Sequence, residues 1–231
     1  MVAVGGDGTM NEVAAVLIGT TATFGLVPCG SGNGLGRHLK IHGPVPRALQ
    51  ILLTGNPRLI DAGYADGHPF FTAAGLGFEA EIAHRFNQLR RRGFLRYLAT
   101  SSRAFVAWRP EEYTILQGDA RERRRAFTLA VANASQYGNN ARIAPTARVD
   151  DGALDLCAVP PLSPWNALPL VARMFRGTLH RSPDMFFRRG ERFVVERTAA
   201  GFLHTDGEVH TAGQRVEFSV RPASLRIMCP A

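Results

Sequence analysis

Three acidic clusters each stand next to glycine: Asp7 in Gly5-Gly6-Asp7-Gly8-Thr9, then Asp150-Asp151-Gly152, then Asp206-Gly207-Glu208. Carboxylates of this kind can hold Mg²⁺ or take a proton from a hydroxyl. Taken singly, each also reads as a turn, because Asp-Gly is ordinary turn chemistry. Two glycine-rich stretches add a second ingredient. Gly5 to Thr9 follows the apolar run Met1-Val2-Ala3-Val4, and Cys29-Gly30-Ser31-Gly32-Asn33-Gly34-Leu35-Gly36-Arg37 follows Phe24 to Pro28. A glycine turn that opens a helix presents unpaired amides and the positive end of the helix dipole, which suits phosphate. Asp7 beside such a site would repel an anion unless a cation lay between them, so the pattern points to phosphate bound together with Mg²⁺. Phosphate turns, a metal-binding carboxylate and a carboxylate base are the parts that phosphoryl transfer needs.

The elements that must hold these groups are legible locally. Met10, Val13, Ala14 and Leu17 recur at helical spacing after Thr9. Thr9 and Glu12 have the spacing of a capping box, which predicts a helix starting at Thr9. The competing reading is a β-hairpin turning on Asp7-Gly8, and it would need alternating residues after Thr9. Phe24 to Pro28 predicts a second buried strand, with a short helix after its glycine turn. The two turns, about 25 residues apart with a helix between, match a βαβ unit whose ligand sits beyond the carboxyl ends of the strands. Val45 to Leu53 predicts a helix closed by Gly55-Asn56-Pro57.

The character changes at residue 57, and the expected division is 1–57 and 58–231. Leu59 to Tyr64 and His68 to Ala73 predict strands flanking a hairpin at Asp66-Gly67. Ile82, Phe86 and Leu89 mark an amphipathic helix, interrupted at Arg90-Arg91-Arg92-Gly93, and Phe94 to Trp108 begins another. Glu112 to Leu116 and Phe127 to Asn133 predict strands around a charged turn, Asp119 to Arg125. Ala153 to Val159 predicts a strand. Ser163 and Pro164 predict an N-cap and first helical residue, with the helix stopping at Gly177. Arg192 to Glu196, Gly201 to Thr205 and Arg215 to Val220 predict short strands. The class is α/β plus β: a nucleotide-type layer and a larger, mainly antiparallel part that carries helices.

Composition is that of a globular protein, and no apolar run approaches the ~20 residues of a membrane span. There is no signal peptide pattern. Cys29, Cys157 and Cys229 make neither a disulfide framework nor a metal cluster, which suits a reduced cytoplasmic setting. The net charge of +8 is almost all arginine, Lys40 being the single lysine. It is concentrated late, with eleven Arg against five acids from Ala80 to Arg125 and seven against three from Arg173 to Arg197. A solvated face, an anionic membrane surface and nucleic acid are the readings of such charge. The absence of a nucleic-acid motif or aromatic platform favours the membrane, with Arg90, Arg91, Arg92 and Arg96 as the expected contacts. The histidines form no triad or zinc pattern; His204 and His210 flank Asp206-Gly207-Glu208 as ligands or as ordinary turn residues.

In order and spacing, Gly5-Gly6-Asp7-Gly8-Thr9-Met10-Asn11-Glu12, Pro28-Cys29-Gly30-Ser31-Gly32-Asn33, Ala74-Gly75-Leu76-Gly77-Phe78-Glu79-Ala80, Asn133 with Ala144-Pro145, Asp151-Gly152-Ala153-Leu154-Asp155 and Asp206-Gly207-Glu208 resemble the diacylglycerol kinase catalytic-domain family. That group includes bacterial soluble lipid kinases and sphingosine kinases. The first motif is shared with NAD kinases and phosphofructokinases. The resemblance implies a partial Rossmann-like nucleotide domain, a β-sandwich-like second domain whose last residues pack back on the first, and an ATP- and Mg²⁺-dependent kinase acting on a hydroxyl of a diacylglycerol- or sphingoid-like lipid. It implies nucleotide contacts at Gly5, Gly6, Asp7, Gly8, Thr9, Asn11, Glu12, Gly30 and Ser31. It implies a Mg²⁺ site at Asp151 with main-chain oxygens of Arg148 and Ala153. The base matches Glu208 in the bacterial branch and Asp7 in the sphingosine kinase branch.

Ser31 stands where many bacterial members have Thr, and Gly34 where many have Asp. Members also open with an Asn-Pro-x-Ser-Gly type segment before the position of Met1. Half of the parallel sheet and part of the adenosine site are therefore expected to be missing, and little kinase activity is expected of these residues alone. A fragment, a late-called start and a degenerate protein all fit that. The implied setting is the cytoplasm, peripheral at the inner membrane face, with a homodimer left open and no nucleic acid partner. The rivals are an NAD kinase-like enzyme, whose Asn-Thr-Asp signature is not found here, and a non-catalytic ATP-site remnant that binds membranes.

Overall fold

In the computed structural model, which describes residues 1–87, 104–105 and 107–231, apolar runs become strands and glycines punctuate them. The strands are β1 (Val2–Gly5), β2 (Thr23–Pro28), β3 (Asn56–Ala65), β4 (His68–Phe70), β5 (Ala73–Gly77), β6 (Glu111–Gln117), β7 (Ala120–Ala126), β8 (Thr128–Ala132), β9 (Leu154–Val159), β10 (Phe186–Gly190), β11 (Arg192–Arg197), β12 (Gly201–Thr205), β13 (Glu208–Ala212) and β14 (Arg215–Cys229). The helices are α1 (Asp7–Leu17), α2 (Gly34–His38), α3 (Val45–Thr54), α4 (Phe78–Asn87) and α5 (Pro164–Arg176).

One sheet runs β1-β2-β14-β11-β6-β7, with β3 on the other edge of β14 and β4 beyond it. Its β1–β2 and β2–β14 pairs are parallel, the others antiparallel. The second sheet, β10-β9-β8-β5-β12-β13, is wholly antiparallel. This bears out the α/β plus β class. The expected boundary at residue 57 falls in the second residue of β3.

The core follows from that layering. Met10, Ala14 and Leu17 of α1 bury against Phe24, Leu26, Ile60 and Ile227. Tyr113, Phe193 and Phe218 of the first sheet bury against Leu76, Leu129 and Leu203 of the second, closing a sandwich. Leu170 of α5 packs on the outer face of the second sheet with Ala130 and Cys157.

Several expectations need correction. The hairpin reading of Asp7-Gly8 fails, because Asp7 is already helical. The Thr9–Glu12 capping box fails too: the N-cap is Gly6, without a side-chain cap, since the strand passes straight into the helix two residues earlier. Asp119 to Arg125 is not a turn. Gly118 and Asp119 form the tight turn, and Ala120–Ala126 is an edge strand. β4 stops at Phe70 rather than continuing to Ala73. β14 does not end at Val220; it bulges between Arg221 and Leu225 and continues to Cys229. Leu89, Arg90 to Gly93, Arg96 and most of Phe94 to Trp108 lie outside the described residues. The three cysteines are unpaired, with Cys29 exposed and Cys157 and Cys229 buried.

Candidate phosphate and hydroxyl site

The first backbone bond of α1 is Met10 N–H to Gly6 O at 3.0 Å. The amides of Asp7, Gly8 and Thr9 therefore precede the ladder and face out of the helix start. Gly8 is exposed, and a Cβ placed on it would meet nothing within 4 Å. Cys29 N–H donates to Gly5 O at 2.8 Å, which lays the second glycine turn beside the first at the carboxyl ends of β1 and β2. The approach is close enough to require glycine: a Cβ on Gly30 would lie 2.5 Å from Gly6 Cα.

Asp7 locks the two turns together. Its carboxylate accepts the amides of Asn33 at 2.9 Å and Gly34 at 2.7 Å. Asn33 closes its own turn by bonding the main chain of Gly30 through both ends of its amide, at 2.9 and 2.6 Å. Gly34 leaves no room for the larger residue expected from the bacterial pattern, since its Cβ would meet Tyr137 O at 2.6 Å. Ser31 and Glu12 are exposed.

A third element converges from the other sheet. The β12–β13 hairpin turns on Asp206 (φ 51°) and Gly207 (φ 88°). Asp206 is turned inward rather than toward solvent. Its Oδ2 accepts from Asn11 Nδ2 at 2.8 Å and the Phe71 amide at 2.8 Å, and its Oδ1 from the amides of Thr72 at 2.9 Å and Ala73 at 3.0 Å. Burial pushes its pKa up while the four donors pull it down. The buried Asn133 holds the same segment from behind, donating to Phe71 O at 3.1 Å and Asp61 O at 3.0 Å. Glu208 is exposed and pairs across the hairpin with Thr205, as His210 does with Leu203. Alternation puts Glu208 and His210 on one face of β13. There His210 stacks on His68 at 3.8 Å and bonds the Thr205 hydroxyl at 2.8 Å. His204 faces the other way, is buried, and pairs with Glu79 of α4 at 3.2 Å; Tyr137 donates to the same carboxylate at 2.6 Å.

Asp7, Asn11, Gly30 and the Glu208 hairpin are thus brought together. The Asp151 loop is tied elsewhere. Gly152 N–H donates to Asp61 at 2.7 Å, and Asp61 also takes the amide of Ala223 at 2.7 Å in the β14 bulge. The adjoining Ser224 O accepts from Gly19, beyond the far end of α1. Asp151 pairs with Arg189 and accepts the Ala153 amide at 3.2 Å, while Asp150 is held by Arg58, which keeps its carboxyl below the usual range. No group of three or more His, Cys, Asp or Glu that could hold a metal occurs among the described residues. A cation at Asp151 with the Arg148 and Ala153 main-chain oxygens would share that carboxylate with Arg189, whose half-exposed side chain makes a surface ion pair. Asp155, buried beside it, has a pKa pushed up to about 6.

Asp206 is singled out in the sequence but its clamping role is missed there, and Asp61 and Thr72 are missed altogether. Asp206-Gly207 gives only a turn signal, and nothing local shows that the carboxyl folds back on α1.

The diacylglycerol kinase catalytic domain matches residues 1–65, and the YegS C-terminal NAD kinase beta sandwich-like domain matches residues 72–229. A Pseudomonas savastanoi protein named "Probable lipid kinase YegS-like" is 28% identical over 100% of this chain and 76% of its own length. A Mycobacterium tuberculosis protein named "Diacylglycerol kinase" is 27% identical over 98% of this chain and 75% of its own. A crystal structure of a diacylglycerol kinase from Bacillus anthracis superposes with a TM-score of 0.74 at 16% identity, over 99% of this chain and 75% of that one. An NAD kinase from Archaeoglobus fulgidus in complex with ATP superposes at 0.51 and 11% identity, over 98% and 76%. Two matched segments in the order catalytic domain then sandwich, the second over more than half of the chain, make this chain a member of the family with the YegS C-terminal NAD kinase beta sandwich-like domain, and a lipid kinase.

Proposed function

We propose that the protein transfers the γ-phosphoryl group of ATP to a hydroxyl of a diacylglycerol- or sphingoid-like lipid, residues 1–57 holding the phosphates and 58–231 the lipid. The observation that carries this reading is the Asp206–Asn11 bond, which ties the hairpin bearing Glu208 to the helix that opens on the phosphate turn. The amides of Asp7, Gly8 and Thr9, with Gly5, Gly6, Gly30 and the Ser31 hydroxyl, cradle phosphate oxygens; Asn11 and Glu12 follow on the same helix. Mg²⁺ would offset phosphate charge, and Asp7 keeps lone pairs for it beyond the two amides it accepts. Glu208, accessible at the hairpin tip, takes the proton of the attacking hydroxyl. The setting is the cytoplasmic face of a membrane; no helix among the described residues is long and apolar enough to cross one.

Glu208→Gln, in the chain joined to the leading segment that family members carry, tests this. It keeps the shape and removes the base, so kcat should fall about 10²–10⁴-fold with the KM for ATP nearly unchanged. Asp7→Asn should act mainly on nucleotide affinity. Normal turnover by Glu208→Gln, with Asp7→Asn inactive while still binding ATP, would move the base role to Asp7.

A further inference from the structure

Helix α5 presents an apolar face to solvent. Trp165 is 89% exposed, Leu168 74%, Phe175 52% and Val171 44%. At 100° per residue these side chains and Ala172 fall within about 120° of the helix circumference. The opposite side carries Leu170 and Met174, which pack on the second sheet. The helix is therefore apolar on both faces, and the outer one lacks a cover among the described residues. Its N-terminus is fixed by a reciprocal Ser163–Asn166 capping box, and its end by Gly177 in the left-handed region (φ 68°). The exposed face thus sits on a secured helix rather than on a frayed one.

We infer that this face docks the protein on an anionic membrane surface. The reading deepens the lipid-kinase proposal and rests on it for its sense, since such an acceptor lies in a bilayer. Charge supports a lipid occupant over a second copy of the chain or a protein partner. Arg173 and Arg176 lie in the last turn of α5, and Arg181 follows. No acid occurs between Asp155 and Asp184. A helix with Trp, Leu and Phe on one side and arginines at its rim has the composition of an in-plane interfacial helix. The exposed tryptophan and phenylalanine suit the headgroup boundary.

The experiment uses the full chain with vesicles of phosphatidylcholine alone or mixed with phosphatidylglycerol. Trp108→Phe leaves Trp165 as the single tryptophan of the two in the sequence. Its emission should shift to the blue with the mixed vesicles. In sedimentation with Trp108 intact, Trp165→Ser/Leu168→Ser should weaken binding at least tenfold. Arg173→Gln/Arg176→Gln should weaken it by roughly fivefold per charge, and only with anionic lipid. An unshifted Trp165 emission, or unchanged binding by the Ser variant, overturns the inference. So does a dimer in sedimentation equilibrium that the Ser variant dissolves, which would assign the face to self-association. A short-chain, water-soluble diacylglycerol, offered to the chain joined to the leading segment that family members carry, separates the two readings. The Ser variant should phosphorylate it as wild type does, while losing activity on vesicle-borne lipid. No phosphorylation by either protein sinks the kinase reading and leaves the vesicle result to stand or fall alone.

Discussion

Asp206→Asn tests whether the hairpin is fastened to α1 by one carboxylate. The substitution is nearly isosteric, and asparagine tolerates the left-handed backbone at this position. The wild-type carboxylate accepts four N–H groups, two on each oxygen. An asparagine oxygen keeps the Thr72 and Ala73 amides, but its NH₂ then faces two donors. The Asn11 amide can rotate to offer its oxygen, at the loss of its weak 3.4 Å bond to Pro69 O; the Phe71 amide cannot. Leaving an enclosed donor unpaired costs about 1–3 kcal/mol, so the loss of stability should be about 2–3 kcal/mol. Asp206→Ala abandons all four donors and adds left-handed strain, and should cost about 4 kcal/mol or more. Urea unfolding should show the fall in midpoint at constant slope. A cycle with Asn11→Ala should give a coupling of about 1–2 kcal/mol. Loss of less than about 1 kcal/mol by Asp206→Ala would refute the clamp. The activity consequence for Glu208 would then lose its basis as well.

Gly30→Ala should destabilise by about 1–3 kcal/mol or more in thermal unfolding, because its Cβ would press on the backbone of Gly6 at 2.5 Å. Gly8→Ala should hold or raise Tm, since the site is open and alanine favours a helix by up to about 1 kcal/mol, yet it should raise the KM for ATP by crowding the amides. His38 has its pKa lowered to about 4 by burial first and by Arg58 next, and its Nδ1 accepts the Ser135 amide at 3.1 Å. The unfolded chain takes that proton near pH 6.5 and the folded chain only near 4, so stability is lost as pH falls between them. Asp155 works in reverse, gaining stability as pH falls below about 6. His38→Asn should remove the loss, about 2–3 kcal/mol relative to wild type at pH 4.5 against pH 7; parallel urea midpoints for the two proteins at both pH values would contradict this.

Where information is local, the sequence carries the structure. The strand, glycine turn and helix at Gly5–Thr9, the second turn, the Asp66-Gly67 hairpin and the Ser163-capped helix all follow from residues within one or two turns of each other. The misses have non-local causes. β7 reads Ala-Arg-Glu-Arg-Arg-Arg-Ala because an edge strand is wet on both faces and shows no apolar alternation. β14 hides its second half behind Pro222 and Ala223, the latter at φ 46°, where the bulge breaks the period. Thr9 and Glu12 have box spacing without the box, because the start of α1 is set by the neighbouring glycine turn. Asp7 and Asp206 each stand in an Asp-Gly turn signal. Their main contacts, to residues 26 and 27 positions away for Asp7 and more than 130 for Asp206, are invisible to any short window.

The long strand β14 has a consequence for how the chain folds. β3 lies along one edge, while β11 and β2 share the other, with Arg226 opposite Thr23 and Ile227 opposite Phe24. β2 is therefore a central strand only once residues roughly 200 positions later have arrived. Until then its Phe24 and Leu26 border an open backbone edge, the kind of surface that recruits other chains. Pairing over such a separation must close a very long loop first, which slows folding. A nascent or C-terminally clipped chain should expose this edge and aggregate through it, while the antiparallel sandwich can begin to assemble from neighbouring hairpins. The phosphate turn at Gly5–Thr9 is thus among the last parts to gain a finished sheet beneath it.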